Sequence, residues 1–215
     1  MTQIARVVVA LMAWLPAAVI ASSLTISVTD GGGQPLADAV VTLYADDDRP
    51  GTEAAPEAVM DQRDRQFVPQ VLAVRTGTLV RFPNSDNIRH HVYSFSPAKR
   101  FELRLYHGTT AEPVQFDQPG KVALGCNIHD AMLGYIYVVD SERFGVTGPD
   151  GQWTVDALPE GDLEVQIQHP RLVDPLTRTV SITGTSQTET IALDGLQPDP
   201  RQQAPQTDLE RLFDR

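Results

Sequence analysis

Three side-chain types able to hold a soft metal, Cys, His and Met, stand at two places in the chain. Cys126, His129 and Met132 lie within seven residues, spaced Cys-x2-His-x2-Met. His90 and His91 stand 36 and 35 residues upstream of Cys126. A thiolate, two imidazoles and a thioether form a mixed donor set. A trigonal plane of two His and one Cys, with a weak axial Met, suits copper in both of its common oxidation states. Neither state then needs a large rearrangement, which favours fast one-electron exchange. Four protein ligands close such a site and leave no position for a substrate, so an enzyme is not expected. Each residue also has a plainer role. A lone Cys is commonly a small buried hydrophobe and a lone Met a core filler. His90-His91 could be an exposed loop pair and His129 a satisfied loop histidine. It is their joint order that favours a metal.

Such a set needs at least two converging segments, because one short loop cannot surround an ion. Cys126 is expected to end a strand formed with Val122 and Leu124, with His129 and Met132 in the tight loop that follows. The remaining histidine must come from a distant strand starting near His91. Only one of His90 and His91 can point inward, since successive strand residues face opposite ways. The rest of the chain also alternates. Leu24, Ile26 and Val28 share a face, as do Ala39, Val41 and Leu43; Phe101, Leu103 and Leu105; and Leu163, Val165 and Ile167. This period predicts half-buried antiparallel strands, and no segment sustains a helical period. The expected class is all-β.

The 215 residues allow one large domain or two small ones. The 17 Lys and Arg against 28 Asp and Glu make nucleic acid a poor partner. A single cysteine excludes a disulfide framework and any CxxC pair. No HExxH, P-loop or dinucleotide fingerprint is present. A metal-free nucleophile reading of Cys126 lacks an identifiable oxyanion hole or orienting group. Residues 1–21 carry one charge, Arg6, ahead of the apolar run Val7 to Ile20. They are expected to be a secretory signal, with an uncleaved anchor as the alternative. The expected location is the periplasm, with no membrane span in the mature chain, where a lone thiol is a liability unless something occupies it. Residues 46–58 should form an acidic linker. Residues 196–215 should be a flexible tail, with Thr207 and Glu210 matching a capping box.

Two resemblances organise this pattern. Gly77-Thr-Leu-Val80, Arg81-Phe82-Pro83-Asn84-Ser85-Asp86, His90-His91-Val92 and Gly125-Cys-Asn-Ile-His-Asp-Ala-Met132 resemble the cupredoxins, the type-1 blue copper proteins, with a ligand loop of the amicyanin kind. Residues 59–139 carry the resemblance, within a domain expected over residues 57–142. It implies a Greek-key sandwich, copper as cofactor, and His90, Cys126, His129 and Met132 as ligands. The family pattern His-Asn-Val places the ligand at His90 and puts His91 where a bracing Asn usually stands. A register shifted by one, with His91 as ligand, stays open. Val28-Thr-Asp-Gly-Gly-Gly-Gln-Pro-Leu36, Asp150-Gly-Gln-Trp153 and Leu158-Pro-Glu-Gly161 resemble a carboxypeptidase regulatory-like, or transthyretin-like, β-sandwich. This second sandwich would be split, over residues 22–56 and 143–195, by the first. The resemblances imply a periplasmic carrier of single electrons. In the cupredoxin family the loop histidine reaches the surface through an apolar patch, for which Ile88, Ala131 and Leu133 are the candidates. A redox partner such as a c-type cytochrome or a periplasmic dehydrogenase would be steered by the chain's acidity. The alternatives are a copper delivery or storage protein and a metal-free interaction module.

Overall fold

The computed structural model describes residues 22–45, 56–108 and 112–203. The expected leader, most of the acidic linker and the capping box lie outside the described residues. The chain is nearly all β. Strands β1 (Ser22–Asp30) and β2 (Val40–Tyr44) come first. Ten strands follow: β3 (Glu57–Val59), β4 (Asp61–Arg63), β5 (Gln66–Val68), β6 (Val71–Arg75), β7 (Thr78–Arg81), β8 (His90–Ser96), β9 (Lys99–Tyr106), β10 (Val114–Phe116), β11 (Gly120–Cys126) and β12 (His129–Val139). The last are β13 (Arg143–Val146), β14 (Gln152–Leu158), β15 (Gly161–Gln168), β16 (Leu176–Ile182) and β17 (Ser186–Leu193). One short helix, α1 (Pro200–Gln203), ends the described chain.

The early and late strands share sheets. One sheet runs β14-β1-β17 and another β13-β2-β15-β16. Leu24, Ile26 and Val28 meet Val41, Leu43, Val165 and Ile167 in one core. The middle strands form the sheets β10-β7-β3 and β6-β12-β11-β8-β9, around a core that includes Phe82, Phe116, Val92, Leu124, Cys126 and Met132. A third cluster joins the two assemblies. Val40, Phe144 and Val146 pack on Val71, Tyr135, Tyr137 and Val139.

That third cluster explains a departure from the simple alternation. Val40 to Leu43 are all buried, because β2 has its own core on one face and the β6–β12 face on the other. Three strand pairs are parallel rather than antiparallel: β1 with β17, β12 with β6 and β3 with β7. Side-chain period is the same in both arrangements, so it cannot report direction. Leu105 does not share the inward face of Phe101 and Leu103; it is 51% exposed. A bulge intervenes, since His90 faces Tyr106 while Val92 faces Leu103. The extra residue on β9 reverses the alternation beyond it. Tyr106 turns in instead and donates its hydroxyl to the Phe82 carbonyl at 2.7 Å.

The first residues of the segment expected to be loose, from Gln197 to Arg201, make specific bonds to the rest of the chain. Gln197 donates its backbone N–H to the Arg171 carbonyl at 2.7 Å, and Arg171 returns a bond from Nε to Gln197 O at 2.7 Å. Arg201 pairs with Asp199 and reaches Gln70 Oε1 at 2.6 Å. A polar, Pro-containing composition reads as flexible because it buries little apolar surface, but these bonds hold it by its polar groups. No helix among the described residues is long and apolar enough to cross a membrane.

Candidate metal centre

Three strand ends meet at one corner of the five-stranded sheet. Cys126 is the last residue of β11, His129 the first of β12 and His90 the first of β8. Two register shifts make this possible. The β9 bulge lies directly beside His90. On the other side, Gly125 faces Leu133 while Cys126 faces His129. β12 thus carries Asp130, Ala131 and Met132 with no opposite residues, and the strand bows around the corner. Gly125 is required by its neighbour. Tyr93 lies over it, and a Cβ there would stand 2.8 Å from the tyrosine ring.

The donor atoms of His90, Cys126 and His129 all lie within 4.8 Å of one another. The sulfur is 3.8 Å from His90 Nδ1 and 3.6 Å from His129 Nδ1. A first-row ion about 2.0 Å from each nitrogen and about 2.3 Å from sulfur separates N from S by roughly 3.5–3.7 Å at tetrahedral to trigonal angles. Both sulfur–nitrogen separations are close to that, so the three residues fit a metal with small adjustment. His90 Nε2 lies 2.6 Å from the Asp86 carboxylate, which can only accept, so Nε2 carries a proton and Nδ1 is the ring nitrogen turned to the sulfur.

His90 is fully buried and Cys126 nearly so, while His129 is half-buried. Burial, the nearby His90 ring and Arg65 push the His129 pKa below its usual value, against a smaller opposing pull from Asp86. The ring is thus neutral and able to donate near pH 7. Met132 is buried in the same apolar cluster as Cys126, three residues beyond His129. Burial suits a thioether donor and a core side chain equally. His91 points the other way. Its Nε2 lies 3.0 Å from Glu102 Oε1, and its ring packs on Tyr93 with centroids 5.5 Å apart. It takes no part in the cluster. His169 is a turn residue whose Nδ1 accepts the Arg171 N–H at 3.1 Å; burial drives its pKa down to about 4.

Sequence reasoning placed Asp86 in the Arg81–Asp86 motif but gave it no role. Its carboxylate holds His90 and also accepts backbone N–H groups from Asp64 at 2.7 Å and Arg65 at 3.0 Å. Burial would raise its pKa, but these bonds and the His90 contact outweigh it and hold the carboxyl below its usual value. Its position four residues before His90 was the available signal. The residues expected to form an apolar patch beside His129 differ in exposure. Ala131 is exposed, and Ile88 and Leu133 are half-buried. Ile128, which sequence reasoning passed over, is 50% exposed. A cavity of about 320 Å³ adjoins this surface, lined by Arg65, Phe67, Gln70, Ala131, Leu133 and Arg201, among others.

No family model and no curated protein matches the chain. The solved structures it is similar to are cupredoxins, at low identity and partial coverage. They include a copper-containing nitrite reductase from Thermus scotoductus (23% identity, 42% of this chain, 25% of that chain, TM-score 0.37). They also include a pseudoazurin from a Sinorhizobium (19%, 40% and 76%, TM-score 0.32) and a purple cupredoxin from Nitrosopumilus maritimus (18%, 39% and 99%, TM-score 0.34). The chain thus spans a quarter of the length of that nitrite reductase. With every one of these TM-scores below 0.5, the chemistry rests on the geometry of the corner itself.

Proposed function

We propose that this chain is a periplasmic copper protein that carries single electrons between redox partners, with His90, Cys126, His129 and Met132 as its ligands. The observation that carries the reading is the convergence of two imidazole Nδ1 atoms on one buried thiol sulfur. Bound copper would supply reversible one-electron exchange. The buried strand ends hold the donors in place in both oxidation states, which keeps reorganisation small. Met132, Val92 and Phe82 keep water from the inner side. His129, half-exposed among Ile88, Ile128, Ala131 and Leu133, is the route to the surface. One equivalent of copper(II) should give an intense blue thiolate band and a narrow copper hyperfine splitting in the EPR spectrum. A colourless protein under those conditions would favour a metal-free interaction module. The flanking strands that share sheets across residues 57–142 form, in this reading, one split regulatory-like domain, and the leader directs export.

Met132→Leu tests the fourth ligand. Leu fills a similar volume at small cost but removes a weak donor to copper(II), so the blue band should persist and the reduction potential rise. An unchanged potential, measured by redox titration, would make Met132 a core residue.

The partner of this reading is a c-type cytochrome or a dehydrogenase domain. The chain's acidity lies mostly outside the copper-carrying part. Residues 57–142 hold nine Lys and Arg against ten Asp and Glu, while the whole chain carries a net charge of -11. Docking through the expected apolar patch beside His129 should therefore depend weakly on salt. In stopped-flow oxidation by a basic cytochrome, the rate constant should fall by less than about tenfold as screening shortens from ~30 Å to ~8 Å. A fall of a hundredfold or more would mean that the acidic flank steers the encounter. Ready loss of copper to a chelator, with no electron transfer, would favour copper delivery.

A further inference from the structure

We propose that Asp86 is the positioning residue of the metal corner: it fixes the tautomer of His90 and strengthens the Nδ1 donor towards copper(II). The inference rests on the copper reading above and extends it to a residue outside the ligand set. A carboxylate that accepts the Nε2 proton makes the opposite ring nitrogen a better donor, and the more highly charged ion gains more from that donor. A neutral partner on Nε2 would not discriminate between the two oxidation states in this way.

Asp86 is placed so that it cannot easily do otherwise. Its own N–H donates to Asn84 Oδ1 at 3.0 Å. Asn84 is buried, and its Nδ2 donates to the carbonyls of Ile88 and Tyr106, both at 2.9 Å. The loop from Asn84 to Ile88 is thereby pinned to β9 beside its bulge. From this loop the carboxylate reaches three donors: Oδ1 takes the Asp64 N–H, and Oδ2 takes the Arg65 N–H and the His90 ring. Asp64 and Arg65 form the turn between β4 and β5 with φ of 53° and 59°, a left-handed conformation that costs energy without glycine. Asp86 offsets that cost, so the β4–β5 hairpin is held to the metal corner through one side chain. The arrangement is a relay from turn amides through carboxylate to imidazole and then to the sulfur side.

The consequence is a bias. With Asp86 in place, the site favours copper(II) more than the same ligands would alone, and its reduction potential is lower. This suits a carrier that hands electrons on and opposes storage of cuprous ion.

Two measurements test it. In metal-free full-length protein near pH 8, side-chain nitrogen NMR should find His90 with its proton on Nε2 and a strongly downfield-shifted ring N–H. In Asp86→Ala the tautomer preference should relax towards a mixture. Separately, copper(II) and copper(I) affinities are measured by chelator competition on wild type and Asp86→Asn, which keeps the shape and removes the charge. The copper(II) affinity should fall by about 10–100-fold and the copper(I) affinity by clearly less, with a corresponding rise in potential. Equal losses for both ions would reduce Asp86 to a structural residue and overturn the inference. So would a wild-type His90 protonated on Nδ1, a result that requires neither copper nor a folded variant. If no copper binds at all, the functional reading fails, and the NMR tautomer still decides the role of Asp86.

Discussion

Replacing Cys126 with Ser should abolish the blue band while leaving the protein folded. The hydroxyl is a harder and far less acidic donor than a thiol, so it offers copper(II) no thiolate charge-transfer transition. Copper(II) affinity should fall by more than the ~100-fold that typifies loss of a supporting partner outside the ligand set. The fold should survive because the new hydroxyl would lie between two ring nitrogens, at His90 and His129, and can donate to one of them. The cost of burying it is then at the low end of ~1–3 kcal/mol. Absorption and EPR spectra give the first result, and circular dichroism with thermal melting the second. A full-strength blue band in Cys126→Ser would sink the assignment of the site.

His90→Ala and His91→Ala should differ sharply. His90 is fully buried, bridges Asp86 to the sulfur and has no substitute nearby. Its removal takes away one in-plane donor and leaves Asp86 facing a cavity. The blue band should be lost, and added imidazole should restore part of it by entering the space. His91 faces the opposite side of β8 and pairs with Glu102, which is 54% exposed. His91→Ala should keep the band and cost no more than ~1 kcal/mol for the contact with Glu102, with some further loss of packing on Tyr93. The reverse outcome, with the band lost only in His91→Ala, would mean that the strand register is shifted by one.

Much of this corner is visible in the amino-acid order, and the reason is local. Cys126, His129 and Met132 sit within one turn and its flanking residues, so their spacing carries geometric information. The strand identity of Leu24 to Val28 and Leu163 to Ile167 is likewise a local matter of period two. What the order conceals depends on distant partners. Nothing in the alternation of β1 reveals β17 as its parallel neighbour. Burial of both faces of β2 follows from the packing of one assembly on another. The outward turn of Leu105 depends on a bulge set by the pairing of β8 with β9. Asp86 looks like an ordinary turn aspartate until the hairpin of β4 and β5 and the ring of His90 are seen to converge on it.

The way the outer strands are paired also sets an order of assembly. β2 meets β13 with Leu43 opposite Arg143, and Ser141 Oγ donates to Leu43 O across 98 residues of sequence. β1 must find β17 across a greater distance still. Closing such a loop from a random chain is slow, because its entropy must be spent before any contact rewards it. Once residues 57–142 have condensed, their two ends stand side by side and the remaining search is short. The middle strands are thus the template on which the two halves of the outer sheets find each other. During synthesis β1 and β2 emerge early and must wait for the last strands. During that interval the apolar faces of Leu24, Ile26, Val41 and Leu43 have no cover. This is the period when the chain would be most dependent on a holding chaperone and most open to proteolysis.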